Sequence, residues 1–434
     1  MKQFLVPTLF ILMQGFLFSQ DRLEISLVEV LDKVQELNIG IKLSEQDAKM
    51  AKYDYNQTNV IFLPQISISH TGIATTNPLM AFGSKLNQEI LTQADFIPSS
   101  LNDPDQVESY ATRISFEQPL INMDGFYQRK AAKTTMLAKE LQAIRTKDHY
   151  HFEAKKAYSQ LQLAYKGVEV LQMAYNAAKS THDVAENSYE QGLLQKADLL
   201  QAKVRLTEVE NQLQQAKSNM KNASDYLGFL MNAAENTIYQ PIEILVPIDF
   251  DVEEEGEIEN RADVRAMQLV SKAYKANMNA DKMTFLPKLK AFGSYEMYDD
   301  DVFQTNAKGY LFGASLSWDI LKGGKRFAQT GKSKANYEKS KQEYQQYVSK
   351  SNLEVQRTRR AMQDSKSRLK TSKLAMKQAE ESLRIRTNRY KEGLEKTNDV
   401  LIAEAMYAQA QMMYYQTIYE FNNARFYLAF LTKE

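Results

Sequence analysis

From Tyr310 to Trp318 the chain alternates. Tyr310, Phe312, Ala314, Leu316 and Trp318 share one parity, and Gly313, Ser315 and Ser317 the other, the period-two signature of a strand with one apolar face. A second such strand sets Tyr110, Thr112, Ile114 and Phe116 against Arg113, Ser115 and Glu117. After Gly323 and Gly324 the period changes. Apart from Gly331, no Pro or Gly occurs before Gly393, which predicts a helix of about 100 Å at 1.5 Å per residue.

Within these long helices, apolar positions recur at seven-residue steps. Val348, Val355, Met362, Leu369, Met376, Leu383 and Tyr390 form one row, and Ser351, Thr358, Ser365, Ser372 and Ala379 lie three residues beyond its first five members. The stretch from Asp124 to about Tyr189 repeats the pattern (Leu161, Val168, Tyr175, His182, Tyr189, with Ala164, Leu171, Ala178 and Ala185). The returning helices, from about Asp198 to Met231 and after Gly393, do the same. A strict seven-residue repeat means knobs-into-holes packing, and small seam residues let helices approach closely.

The plan occurs twice. A helix beginning near Ser26 ends before Phe62-Leu63-Pro64, and one from Arg261 to Met283 ends at Phe285-Leu286-Pro287. Each is followed by two strands, a long helix and a returning helix. The predicted boundaries are a signal peptide over 1–20, a first repeat over 21–240, a linker over 241–259 with the acidic run Glu253 to Glu255, and a second repeat over 260–434. The signal peptide rests on the apolar run Phe4 to Phe18 ahead of Ser19. The fold class is mainly α with a small β part.

Composition narrows the function. Lys+Arg and Asp+Glu balance at 54 each, which argues against a nucleic-acid binder. There is no Cys, so no thiolate metal site or disulfide. The histidines His70, His149, His151 and His182 read as structural rather than metal-binding. No nucleophile elbow, phosphate loop or carboxylate pair stands out, so neither an enzyme nor a cofactor is expected. A membrane barrel leaves no edge in lipid, and four strands are too few to close one. Either several copies pool their strands, or the strands form a soluble sheet; aromatic outer faces favour pooling. The rival architecture is a structural coiled-coil scaffold of the cell envelope without a conducting lumen.

Several motifs together resemble the TolC-type outer membrane efflux proteins. They are the two Phe-Leu-Pro junctions, the strand exits Gln118-Pro119-Leu120-Ile121 and Asp319 to Gly324, the segment Asn260-Arg261-Ala262-Asp263-Val264, and a doubled tip motif. The tip copies are Tyr189-Glu190-Gln191-Gly192 ahead of Asp198, and Tyr390-Lys391-Glu392-Gly393 ahead of Asp399. The resemblance implies a homotrimer with a twelve-stranded outer-membrane β-barrel continued by twelve helices through the periplasm. Its implied partners are a periplasmic adaptor protein, an inner-membrane pump of RND or ABC type, and outer-membrane lipid. It also implies a periplasmic gate at Asp198, Tyr390, Asp399 and Glu395, with tip turns and adaptor docking at Tyr189, Gly192 and Gly393. Two positions depart from the family's gate pattern: Ile402 stands where a second acid is usual, and Glu395 where a latch arginine is usual.

Overall fold

A computed structural model describes residues 22–234, 237–248 and 258–433. The expected signal peptide and the acidic run Glu253 to Glu255 lie outside the described residues. The elements run β1 (Arg22–Ile25), α1 (Leu27–Leu37), α2 (Ile39–Gln57), β2 (Gln65–Thr75), α3 (Pro78–Asn87), α4 (Pro98–Asn102), β3 (Val107–Ile121), α5 (Met123–Glu190), α6 (Lys196–Leu230), β4 (Ile238–Pro241), α7 (Ala262–Met283), β5 (Lys288–Asp299), β6 (Ala307–Ser317), α8 (Lys325–Lys391) and α9 (Thr397–Thr432). The sequence β-β-long helix-helix occurs twice. Two compact units cut across this duplication: the described parts of 1–43, 146–257 and 351–434 form one, and 44–145 with 258–350 the other.

In the first unit, Ser26 caps α1 through a capping box with Glu29, satisfying amide donors that the first helical turn leaves without partners. The helix expected to continue to residue 59 breaks at Asn38. The Asn38 side chain donates to the Leu230 carbonyl at 2.8 Å and accepts from the Ile41 amide at 3.1 Å. Gly40 lets α2 begin there, because a Cβ at this position would lie 2.0 Å from the Tyr150 hydroxyl. A core forms from Val30, Val34, Tyr158, Leu161, Leu227, Leu230 and Tyr239.

The segment expected to be a linker starts as structure. Its entry strand β4 pairs in parallel with β1, Leu245 is buried, and Asn422 of α9 bonds both the Val246 carbonyl and the Ile248 amide.

The helix seams follow the seven-residue rows, and along α8 most of the small side chains lie deeper than the large ones. Ser351, Thr358, Ser365 and Ser372 of α8 are all buried, as are Ala178, Thr181 and Ala185 of α5 and Ala202 and Val209 of α6. Met362, Leu369 and Met376 are only half-buried. Close approach along these rows therefore depends on the small residues.

The second unit holds a four-stranded antiparallel sheet in the order β2-β3-β5-β6. The β2–β3 connection contains α3 and α4; Asn77 caps α3, Pro78 occupies its first turn, and Lys85 pairs with Asp95 at 2.7 Å. Both strand exits are tied to a Phe-Leu-Pro junction: Gln118 donates to the Phe62 carbonyl at 2.6 Å and the Trp318 indole to the Phe285 carbonyl at 2.9 Å.

The Arg261 to Val264 motif builds a buried ionic cluster. Asp263 accepts from Arg261 at 2.6 Å and from Tyr347 at 2.7 Å, with Arg145 at 3.4 Å. Burial opposes the Asp263 charge, yet these partners outweigh it and hold the carboxyl at about 2.

Candidate functional site

The pairing register sorts the sheet into two faces. Ile66, Ile68, Ile114, Phe116, Tyr295, Tyr310, Phe312 and Leu316 share one; Ser67, Ser69, Arg113, Ser115, Glu117, Ser294 and Glu296 share the other, where Arg113 pairs with Glu296 at 2.7 Å and Glu117 with Lys290 at 3.0 Å. The apolar face is uncovered: Tyr310 is 85% exposed, Phe312 74%, Ile68 72% and Ile66 71%. A soluble sheet would bury these side chains.

Phe292, an aromatic on the polar face, lies over Gly313, where a Cβ would meet its ring at 3.0 Å. Glycine there makes room for the ring of a cross-strand neighbour. Strands β2 and β6 are each paired on one side only. Their free edges need a further strand wherever water is absent. Among the described residues no helix is long and apolar enough to cross a membrane.

The helical hairpins α5–α6 and α8–α9 carry the predicted gate. Both turns have the same backbone. Gly192 has φ of 73° and Gly393 of 69°. The Gly192 and Leu193 amides donate to the Tyr189 and Ser188 carbonyls, and the Gly393 and Leu394 amides to those of Tyr390 and Arg389. This is a Schellman ending, which needs the left-handed conformation that glycine adopts without strain. Asp198 and Asp399 occupy the same place in the first turns of α6 and α9, where a carboxylate faces the positive end of the helix dipole.

Within the chain the predicted gate residues separate into groups. Glu395 is held by Arg386 at 2.9 Å and Arg389 at 2.8 Å. The Arg389 hydrogen bond, joined by the Arg386 charge, lowers its carboxyl pKa, with Asp399 a further hydrogen-bonding neighbour. The Tyr390 hydroxyl lies 3.2 Å from the Thr397 hydroxyl, not on Asp198. Ile402, in the place of the second acid, lines an apolar groove with Leu200, Val204 and Leu401.

One acidic residue escaped sequence reasoning. Glu404 of α9 is 6% exposed and accepts from Thr181 of α5 at 2.8 Å, while its second oxygen has no partner. Burial raises its pKa, only partly offset by Thr181 and Arg205. A polar residue one place after Ala403 in an apolar seam row was the available signal. Among the described residues, His182, Asp183 and Glu186 form the one cluster of metal-ligand type. All three stand on α5, with separations of 3.5 Å and 4.0 Å from the His182 ring.

An uncovered apolar sheet face, a polar opposite face, two free edges and long helical hairpins define an outer-membrane channel subunit. The chain belongs to the outer membrane efflux protein family, whose model matches residues 30–233 and 256–432. Efflux across the outer membrane is its function, and it reaches from that membrane into the periplasm.

Solved structures agree in fold. The outer membrane channel CmeC of Campylobacter jejuni is 18% identical, with 94% of this chain and 85% of that chain covered and a TM-score of 0.83. The outer membrane protein VceC of Vibrio cholerae is 17% identical over 93% of this chain and 95% of that one, with a TM-score of 0.78. The open state of the MtrE outer membrane channel of Neisseria gonorrhoeae is 16% identical over 94% and 88%, with a TM-score of 0.76. No sequence among the curated proteins matches the chain.

Proposed function

We propose that three copies of this chain pool their strands into one twelve-stranded barrel, continued by twelve helices of the four long rows, as a passive exit duct. The observation that carries this is the sheet with two unpaired edges and an exposed apolar face. Pairing β6 of one copy with β2 of the next satisfies both edges, and in the closed barrel the apolar face meets lipid and the polar face the lumen. The two structural repeats, 21–240 and 260–434, each supply two strands and a hairpin to the wall.

In this reading the tips at Tyr189, Gly192 and Gly393 form the periplasmic entrance and meet an adaptor. An inner-membrane pump of RND or ABC type supplies the energy. Asp198, Tyr390 and Asp399 narrow the entrance when three copies meet around an axis, and repeated carboxylates there disfavour anions. Glu395 braces its own hairpin through Arg386 and Arg389.

Purified protein should migrate as a heat-resistant trimer from outer-membrane extracts and conduct ions in planar bilayers. Substituting Asp198 or Tyr390 should raise that conductance. A stable, water-soluble monomer without conductance would refute the duct and favour a scaffold.

A further inference from the structure

The chain is neutral overall, yet α8 holds 19 Lys or Arg against 6 Asp or Glu. Part of this excess is organised. Lys366, Lys370, Lys373 and Lys377 recur at three- and four-residue steps, so they line one side of the helix. All four are exposed. Among the described residues none has an ion pair, whereas neighbouring Arg384, Arg386 and Arg389 are all paired with glutamates. Exposed Leu374 and Ile385 run along the edge of the stripe, about 140–160° round the helix from Leu369 at 100° per residue.

The direction of the stripe follows from what covers the hairpin. Leu245 packs with Leu163 of α5 and Ile418 of α9, and Leu369 of α8 leans on the same cluster. An extra layer laid on the wall of a duct sits outside it, since inside it would block the lumen. The lysines fall within about 40–100° of Leu369 on one side, while Arg368 lies about 100° the other way. Arg368 pairs at 3.0 Å with Glu420, which is about 200° round α9 from Ile418. The lysines are thus on the covered, outward side, and Arg368 and Glu420 on the other.

We infer that the stripe Lys366, Lys370, Lys373 and Lys377, edged by Leu374 and Ile385, is a docking surface for a periplasmic protein helix that presents acidic side chains beside an apolar row. This rests on the duct reading for its outward direction. Unpaired lysines at helical spacing match carboxylates at the same spacing on a second helix. The apolar edge fits a protein helix and has no counterpart in a purely anionic polymer.

The test places a photo-crosslinking residue at Leu374 in the full chain in cells, with Ser382, on the Arg368 side, as the control position. A second chain adds Lys366→Glu, Lys370→Glu, Lys373→Glu and Lys377→Glu. The expected result is a protein adduct at 374 and not at 382, mapping to an acid-rich helical peptide and falling about tenfold on charge reversal. An adduct that persists after reversal, maps to a neutral or basic segment, or is released by cell-wall hydrolase overturns the inference, as does absence of any adduct. Bilayer conductance of both purified chains separates the two readings. If the trimers conduct while the adduct is missing or charge-insensitive, only the docking surface falls; if wild-type protein neither trimerises nor conducts, the duct falls.

Discussion

The two hairpin tips have one backbone and two chemistries. Gly192 and Gly393 adopt the same left-handed conformation with the same pair of amide bonds behind them, and each following helix opens with an aspartate at the same place. Side chains differ. Around Gly393, Glu395 joins Arg386 and Arg389, and Tyr390 meets Thr397. The corresponding residues around Gly192 are Leu194, Ala185, Ser188, Tyr189 and Lys196, which cannot form an ion triad. Duplication has thus kept the turn, which backbone sterics impose, and let charge diverge. The second tip adds an ion triad to the turn that both share.

Replacing Glu395 with Arg should have the largest effect, because it leaves three guanidinium groups together at the second tip where a carboxylate now separates two. Proteolytic nicking near 390–396 should rise severalfold and channel conductance with it. Leu194→Arg at the first tip should change both far less. Equal responses would show that the triad does not hold the second tip. Gly192→Ala and Gly393→Ala should each cost about 1 kcal/mol through the positive φ, since nothing lies within 4 Å of a Cβ at either position. Equal losses in thermal unfolding are expected; unequal ones would mean the shared backbone is not what carries the turns. Tyr390→Phe removes one hydrogen bond, roughly 0.5–1.5 kcal/mol, whereas Tyr189→Phe should be silent.

These contrasts also show what could be read in advance. Tyr310 to Trp318 announced a one-sided strand because alternation is local, and the seven-residue rows gave the seams because each position repeats along one helix. Gly192 and Gly393 were legible as turns from their place after long helical stretches. The break at Asn38 was hidden because its cause is the Leu230 carbonyl, 192 residues away. The β1–β4 pair was hidden because each strand has only four residues and its partner is distant. Helix α3 opens on a local signal, Asn77 followed by Pro78, set within a connection that carries Gly, Pro and Asn. Glu395 was read by its departure from a family position, while the arginines that hold it stand on the helix before the turn.

The finest separation of the tips comes from pH, because two carboxylates of the second hairpin are shifted in opposite directions. The first hairpin has Leu194 and Lys203 in the corresponding places. Glu395 has a lowered pKa, so its contribution is complete above the unfolded carboxylate value, about 4.3, and is lost as pH falls through its folded value. Glu404 has a raised pKa. Its contribution is complete below that unfolded value and is lost as pH rises through the folded one, when a charge enters a seam where one oxygen has no partner. The second tip should therefore loosen toward both acid and alkali, while the first, which shares the Thr181 contact, responds to alkali alone. The chain has no Cys, so spin labels at Leu193→Cys and Leu394→Cys, exposed equivalents just past each glycine, report each tip alone. Label mobility at 394 should pass through a minimum between the two titrations. In Glu404→Gln, which keeps an acceptor for Thr181, the alkaline rise should vanish and the acid rise remain. Parallel curves at 193 and 394 would mean that both tips respond to some common change in the assembly, and the electrostatic difference between them would then have no mechanical consequence.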